Sequence, residues 1–242
     1  MTISNDSRAR VKAIFEPIAL AMGRAGLTPD ALTLIGFAIT VAGAILVSQQ
    51  FWLIGGLVVF IGGVFDMFDG TLARATGQAS PLGAFMDSVF DRAGEVIVYI
   101  GIVAGLQAVG VADGTLLAAA ALGSAVMVSY ARAKSDGLGF TAGTGMAAVG
   151  IMPREIRLVI LSLGLVLAGI LGTTITSSGD GAGGASIPAG IAALFLALGI
   201  ITLGSIITVI QRILHVRSQA AHQPTTNQSP SAQTPGSNGE QQ

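Results

Sequence analysis

The 242-residue sequence contains no cysteine and only 10% charged residues, and each scarcity excludes a class of protein. Without cysteine the chain has neither disulfides nor thiolate metal ligands. The charged fraction is far below that of a soluble domain, while 52% of the residues are hydrophobic and the mean hydropathy is +0.75. The formal net charge of −1 gives no reason to expect a nucleic-acid partner. The N-terminal residues also lack the apolar region and cleavage site of a signal peptide.

Long apolar stretches separated by polar breaks dominate the rest of the chain. Each is about 20 residues long, the length that a helix needs to cross the bilayer core. Glycine is abundant, and the pairs Gly55/Gly62 and Gly56/Gly63 recur at seven-residue intervals, which favours close helix packing. We therefore predict an all-α integral membrane protein, a bundle of six transmembrane helices at 31–49, 52–75, 83–108, 113–134, 154–173 and 187–211.

Two further segments flank this predicted transmembrane domain of residues 26–217. Within residues 1–25, apolar side chains recur at spacings of three and four between Arg8, Arg10 and Lys12. The pattern predicts a juxtamembrane amphipathic helix on an anionic membrane surface, with an ordinary soluble core helix as the alternative. Residues 218–242 lack large apolar side chains and are rich in Pro, Ser, Thr, Asn and Gln, so a disordered tail is expected.

The basic residues indicate how the chain is oriented in the membrane. All 12 Lys and Arg residues fall at one side of the predicted bundle, whereas the opposite connections, 48–50, 109–114 and 173–186, contain none. Basic residues favour the cytoplasmic side of a membrane. We therefore expect a multi-pass protein of the cell membrane with both termini in the cytoplasm.

Four aspartates interrupt the apolar sequence between residues 66 and 91. Asp66 and Asp69 are three residues apart and Asp87 and Asp91 four, so each pair lies on one helix face, and the turn between them brings the faces together. Carboxylates in apolar surroundings repel one another unless cations neutralise them. Oxygen ligands suit Mg²⁺, and four carboxylates fit two ions. The alternative is a group of acids at a helix end that reaches into water.

The complete spacing, D-x2-D-G-x2-A-R-x8-G-x3-D-x3-D, resembles the signature of the CDP-alcohol phosphotransferase family. These are integral membrane enzymes that transfer a substituted phosphate from a CDP-alcohol to an acceptor hydroxyl. The resemblance implies a homodimer and a site with two Mg²⁺ ions, for which Mn²⁺ can substitute. Asp66, Asp69, Asp87 and Asp91 would hold the ions. Asp91 would also deprotonate the acceptor, although it could be a ligand alone.

Residues around the aspartates are candidates for binding the CDP-diacylglycerol donor. Gly70 and Ala73 have small side chains that would let a nucleotide approach closely, although helix packing also explains Ala73. Arg74 suits a diphosphate, with interfacial snorkelling as the alternative, and the Ser80 hydroxyl could reach the nucleotide. The segment at 28–31 resembles the stretch that borders the CDP pocket in members of the family, and it is also typical of a helix N-cap. Its residues are Thr28, Pro29, Asp30 and Ala31.

Five bases cluster at the same predicted end of the bundle, namely Arg132, Lys134, Arg154, Arg157 and Arg212. They suit a phosphorylated acceptor, although the bias of basic residues toward the cytoplasm could account for any one of them. Their segments resemble the actinobacterial phosphatidylinositol-phosphate synthases of the family. That resemblance implies transfer to myo-inositol 1-phosphate, equivalently 1D-myo-inositol 3-phosphate, with release of CMP. Glycerol 3-phosphate is an alternative acceptor, and a divalent-cation transporter is an alternative of another class.

Overall fold

The computed structural model describes residues 5–140, 146, 149–173 and 187–222, with side chains from Phe15 onward. Within these ranges the chain forms eight helices and no strand, which confirms the all-helical prediction. The helices are α1 Asn5–Arg24, α2 Pro29–Ser48, α3 Trp52–Phe65, α4 Met67–Thr76, α5 Pro81–Ala108, α6 Ala112–Gly137, α7 Arg154–Leu171 and α8 Ala189–His222.

Four segments of the described chain are long and apolar enough to cross a membrane. They are α2, the nearly continuous α3 and α4, α6, and α8 as far as Ala221. The helices α5 and α7, with 28 and 18 residues, also have sufficient length. They carry several charged residues, which in α7 are confined to the first turn. The expected count of six spans therefore depends on these two helices.

Two predicted boundaries differ from the structure. The span expected at 52–75 is divided at Asp66, where α3 ends and α4 begins. Asp66 keeps nearly helical dihedral angles, φ −58° and ψ −23°, so the interruption is confined to one residue. The tail boundary at residue 218 is wrong, because α8 continues to His222. Helix-favouring Gln and Ala residues follow the apolar stretch and extend the helix. The rest of the predicted tail lies outside the described residues.

The N-terminal helix α1 packs against α4 through its apolar side chains. Ala19 is fully buried and joins a cluster with Phe68 and Leu72 of α4. The rings of Phe15 and Phe68 are 5.0 Å apart between centroids. This contact places α1 against the helix that carries half of the aspartate motif, whereas its predicted position on a membrane surface stays a prediction.

The glycines of α3 allow neighbouring helices to approach on two opposite faces. A Cβ atom added to Gly55 would lie 2.9 Å from the Val47 nitrogen of α2, and one added to Gly56 would lie 3.0 Å from the Val166 nitrogen of α7. Real Cβ atoms rarely come so near another backbone, so these positions require glycine. The prediction that the paired glycines serve close packing is confirmed, and α3 lies between α2 and α7.

Candidate metal centre

Three of the four predicted aspartates converge where the α3–α4 junction faces the start of α5. Asp66, Asp69 and Asp87 each offer a carboxylate oxygen, and these oxygens all lie within 4.8 Å of one another. We call these three residues the carboxylate triad. Asp69 is buried, with 5% of its surface exposed. In the described part of the chain no base forms an ion pair with Asp69 or Asp87. An all-oxygen, anionic donor set of this kind fits a hard divalent cation.

Local hydrogen bonds fix the orientation of Asp69. The hydroxyl of Thr33 on α2 donates to Asp69 Oδ2, and the backbone N–H of Gly70 donates to Asp69 Oδ1. Thr33 lies one turn inside α2, whose N-terminus is capped by Thr28. The helix cap therefore positions a side chain that supports the triad from a neighbouring helix.

The turn between α4 and α5 brings the two halves of the motif together. Gly77 ends α4 with a φ of 68°, a left-handed conformation that favours glycine. Ser80 then caps α5, accepting a hydrogen bond of 3.0 Å from the Gly83 nitrogen. The chain therefore reverses within four residues, and Asp87 is placed on the second turn of α5 opposite Asp66 and Asp69.

Asp91, one turn beyond Asp87, has different surroundings. Its Oδ1 lies 2.8 Å from Arg154 Nη2 on α7, and its Oδ2 lies 3.3 Å from Arg92 Nη2. Arg154 also donates from Nη1 to Asp66 Oδ2, over 2.7 Å. Arg154 therefore connects the predicted base with the triad, and both oxygens of Asp91 face guanidinium groups.

A fifth acid, Glu95, was not singled out from the sequence. Its side chain is 11% exposed, and its carboxylate makes two bonds with Arg157, from Nε at 2.8 Å and from Nη2 at 3.1 Å. Arg92 Nη1 donates to the same carboxylate over 2.9 Å. The spacing of four residues from Asp87 to Asp91 and again to Glu95 is the signal that would have found it, because it places all three acids on one face of α5.

The predicted donor residues lie around the same end of the bundle. A Cβ atom at Gly70 would lie 3.2 Å from Arg74 Nη1, so the guanidinium of the exposed Arg74 lies over that glycine. A Cβ atom at Gly83 would lie 3.7 Å from Asp30 Oδ1, which shows that the N-termini of α2 and α5 are adjacent. Thr28 acts as a helix cap, as the simpler interpretation of its segment predicted, and Ser80 is a helix cap that was not predicted from the sequence. The prediction for nucleotide contact stays a prediction.

The five bases predicted to face a phosphate divide into two groups. Arg132 and Lys134 are exposed and Arg154 is 31% exposed, so these three reach solvent. Arg157 and Arg212 are buried, with 2% and 4% of their surfaces exposed. Arg157 bonds to Glu95, and Arg212 donates to the Val149 and Val128 carbonyl oxygens. The sequence identifies these residues as basic. It does not show that their guanidinium groups turn inward, because helix packing brings the hydrogen-bond acceptors near them.

The fold and the site together define a class, an integral membrane protein with a carboxylate centre at one end of a helical bundle. A family model described as CDP-alcohol phosphatidyltransferase matches residues 26–221. The chain therefore belongs to the CDP-alcohol phosphatidyltransferase family and is a transferase, which confirms the resemblance drawn from the aspartate motif.

Similar proteins are found among curated sequences and solved structures. The phosphatidylinositol phosphate synthase of Streptomyces avermitilis is 33% identical over 89% of this chain and 82% of its own. That of Cutibacterium acnes is 34% identical over 87% of this chain and 95% of its own. The crystal structure of the Mycobacterium tuberculosis phosphatidylinositol phosphate synthase with CDP-DAG bound superposes with a TM-score of 0.67 at 28% identity, covering 84% of this chain and 94% of that one. The complex of the same protein with manganese and citrate has a TM-score of 0.66 at 26% identity, covering 84% and 89%.

Proposed function

We propose that the chain is a phosphatidylinositol phosphate synthase, which transfers the phosphatidyl group of CDP-diacylglycerol to myo-inositol 1-phosphate and releases CMP. The observation that carries the proposal is the position of Arg154 between Asp66 and Asp91. There a guanidinium that can bind a phosphate borders carboxylates that can bind a cation on a diphosphate. The relatives with that name, and the similar structure with CDP-DAG bound, support the same function.

The carboxylate oxygens of the site fit the divalent cations that this function needs. Asp66, Asp69 and Asp87 would hold them, with Asp91 completing a centre for two Mg²⁺ or Mn²⁺ ions. Ions bound there would neutralise charge on the diphosphate of the donor. The three carboxylates of the triad would otherwise repel one another in apolar surroundings, which favours cation binding. A similar structure was solved in complex with manganese, which supports the proposal of a divalent-cation site.

The reaction requires a base and a group that orients the diphosphate. Asp91 accepts the proton of the inositol hydroxyl as the hydroxyl oxygen attacks the phosphorus that carries the diacylglycerol. A new oxygen–phosphorus bond forms, the bond from that phosphorus to the CMP oxygen breaks, and CMP leaves with the electron pair. Arg74 binds the diphosphate, and Gly70 and Ala73 leave space for the nucleotide, bordered by the segment 28–31 and Ser80.

The acceptor phosphate is bound by basic side chains at the same end of the bundle. Arg154 leads this group because its guanidinium is partly exposed and adjoins Asp91. Arg132 and Lys134, which are exposed, come from α6, and the buried Arg212 of α8 donates to the Val128 carbonyl oxygen of that helix, so it would support the subsite from behind. An acceptor without a phosphate would not need this number of bases.

The proposal includes six transmembrane spans, with α5 and α7 as the third and fifth. Their charged residues meet in the network of Asp91, Glu95, Arg154 and Arg157, which lowers the cost of placing them in a bilayer. The basic residues then orient the site toward the cytoplasm. By analogy with the family the protein would be a homodimer, with α1 on the membrane surface.

The function is tested with the purified protein, CDP-diacylglycerol and Mg²⁺ in lipid–detergent micelles. Radiolabelled inositol phosphate, inositol and glycerol 3-phosphate are compared as acceptors, and both CMP and labelled lipid are measured. We expect lipid product from inositol phosphate and none from inositol. A preference for glycerol 3-phosphate would make the chain a phosphatidylglycerophosphate synthase. Absence of CMP with every acceptor, together with Mg²⁺ flux in liposomes, would support a transporter instead.

A further inference from the structure

Glu95 has no role assigned above, and its ion pair occupies Arg157, a base that the sequence suggested for the acceptor phosphate. Arg157 is 2% exposed, and three of its donors are used, two by Glu95 and one by the Met152 carbonyl oxygen at 3.1 Å. A guanidinium bonded in this way faces away from a ligand in solvent. Its contribution therefore comes from the two helices that the ion pair connects, α5 and α7.

The pair joins two helices that do not pack closely against each other. The helices α5 and α7 are absent from the closely packed helix pairs of the described chain, and each packs instead against other neighbours, α5 on α2 and α6 and α7 on α3 and α8. Two ion pairs span the space between them, Asp91 with Arg154 and Glu95 with Arg157. Because the acids are four residues apart and the bases three, the pairs lie one helical turn apart.

The second pair is more enclosed than the first. Arg154 is 31% exposed, and its partners are the predicted base and a member of the triad. Both pairs line one cavity, in which Arg157 is 2% exposed and the Glu95 side chain 11%. An ion pair with so little access to water has a well-defined geometry, because the alternative solvated arrangements are lost.

Arg157 also holds the segment that leads into Arg154. Its Nη1 bonds to the carbonyl oxygen of Met152, and the Met152 nitrogen donates over 3.0 Å to the hydroxyl of Thr208 on α8. Arg154 begins α7 two residues later. The first turn of α7 is therefore fixed from both sides, by Glu95 on α5 and by Thr208 on α8.

We propose that Glu95 and Arg157 are positioning residues for the transfer reaction, which hold the start of α7 against α5 so that Arg154 meets the acceptor phosphate beside Asp91. The inference rests on the proposed function and deepens it. When the acceptor and the cations draw Arg154 and Asp91 into new contacts, the deeper pair keeps the two helices in register. The acceptor subsite is then specified partly by residues that do not touch the acceptor.

The test uses the double variant Glu95→Gln/Arg157→Met in the full-length protein. Replacing both charges avoids an unpaired buried ion, and the Gln amide oxygen still accepts from Arg92. We expect the KM for inositol phosphate to rise about tenfold and the KM for CDP-diacylglycerol to change less than about twofold, because the pair acts on the acceptor side. Ser162→Ala, a buried change on the same helix, is the matched control and should leave both values unchanged. Melting temperatures in detergent establish that the variants are folded.

A second arm separates positioning from general structural support. In an Arg154→Ala background, the double variant should raise the acceptor KM by less than about twofold, since the pair acts through Arg154. An equal rise in both backgrounds, or an equal change in the KM of donor and acceptor, would overturn the proposal. So would an unchanged acceptor KM, or a double variant that fails to fold while Ser162→Ala folds, because the pair would then serve stability alone. If the unaltered protein releases no CMP with any phosphorylated acceptor, the proposed function fails first, and this inference fails with it.

Discussion

The helix α5 carries acids of two kinds, and the difference between them organises the site. Asp87 belongs to the carboxylate triad, where the described chain gives neither it nor Asp69 an ion pair with a base. Asp91 and Glu95, one and two turns further along, bond to three arginines, Arg92, Arg154 and Arg157. Residues of one chemical type on one helix face thus differ in whether they form a direct ion pair with an arginine.

This contrast shows how the protein places acids in apolar surroundings. Each ionised carboxylate there needs a positive partner. Asp91 and Glu95 obtain that partner from arginines of the chain itself, so their geometry is set on folding. Asp69 and Asp87 require a partner from outside, and the triad is therefore the part of the site that is open to cations.

The largest effect is expected where the triad loses a member. Asp69→Asn removes an oxygen ligand with negative charge, so CMP release should fall by about 10³-fold at saturating substrates. Its melting temperature without divalent ions should stay the same or rise, because repulsion within the triad decreases. Activity within tenfold of the unaltered protein would show that Asp69 does not hold a required ion.

The next effect concerns the arginine between the two groups of acids. Arg154→Ala should raise the KM for inositol phosphate about 10- to 100-fold, because charged hydrogen bonds to the acceptor phosphate are lost. Initial rates at saturating CDP-diacylglycerol measure the change, and Arg154→Lys should give an intermediate value because it keeps the charge without the planar fork. An acceptor KM that does not change would show that Arg154 pairs with Asp66 and Asp91 but does not bind the acceptor phosphate.

A smaller effect is expected from the hydroxyl that supports the triad. Thr33→Val keeps the side-chain shape but removes the donor to Asp69 Oδ2, so the Mg²⁺ concentration for half-maximal activity should rise about tenfold. Thr40→Val is the matched control on the same helix, since the Thr40 hydroxyl donates to the Gly36 carbonyl oxygen. Equal Mg²⁺ requirements in the two variants would count against support of the metal centre by α2.

The smallest effect is expected at the edge of the triad. Gly70→Ala would bring a methyl group to 3.2 Å from Arg74 Nη1, a flexible exposed group that can move, so the fold should be unaffected. The methyl group would still hinder a nucleotide, and the KM for CDP-diacylglycerol should rise about threefold. An unchanged donor KM in this variant would place the nucleotide elsewhere.

In Gly101→Ala the added atom would lie 3.1 Å from the backbone carbonyl carbon of Ala44, so a loss of stability is expected instead.

The aspartate spacing predicted a cluster of four acids, of which the structure brings three together, because residues three and four apart share a helix face and the intervening turn residues reverse the chain. The paired glycines likewise predicted the close packing of α3. The sequence did not reveal the break at Asp66, since the hydrophobic pattern continues across it. It also did not show that Arg157 turns inward, because Glu95 lies 62 residues away and only the arrangement of α5 and α7 brings the two together.

Binding of Mn²⁺ to the purified protein tests the central contrast most directly, with the free ion followed by electron paramagnetic resonance. The account predicts saturable binding that is lost in Asp69→Asn and is retained within about threefold in Glu95→Gln/Arg157→Met, because Asp69 would hold the cation and the Glu95–Arg157 pair would not. Equal loss in both variants, or undiminished binding in Asp69→Asn, would contradict it.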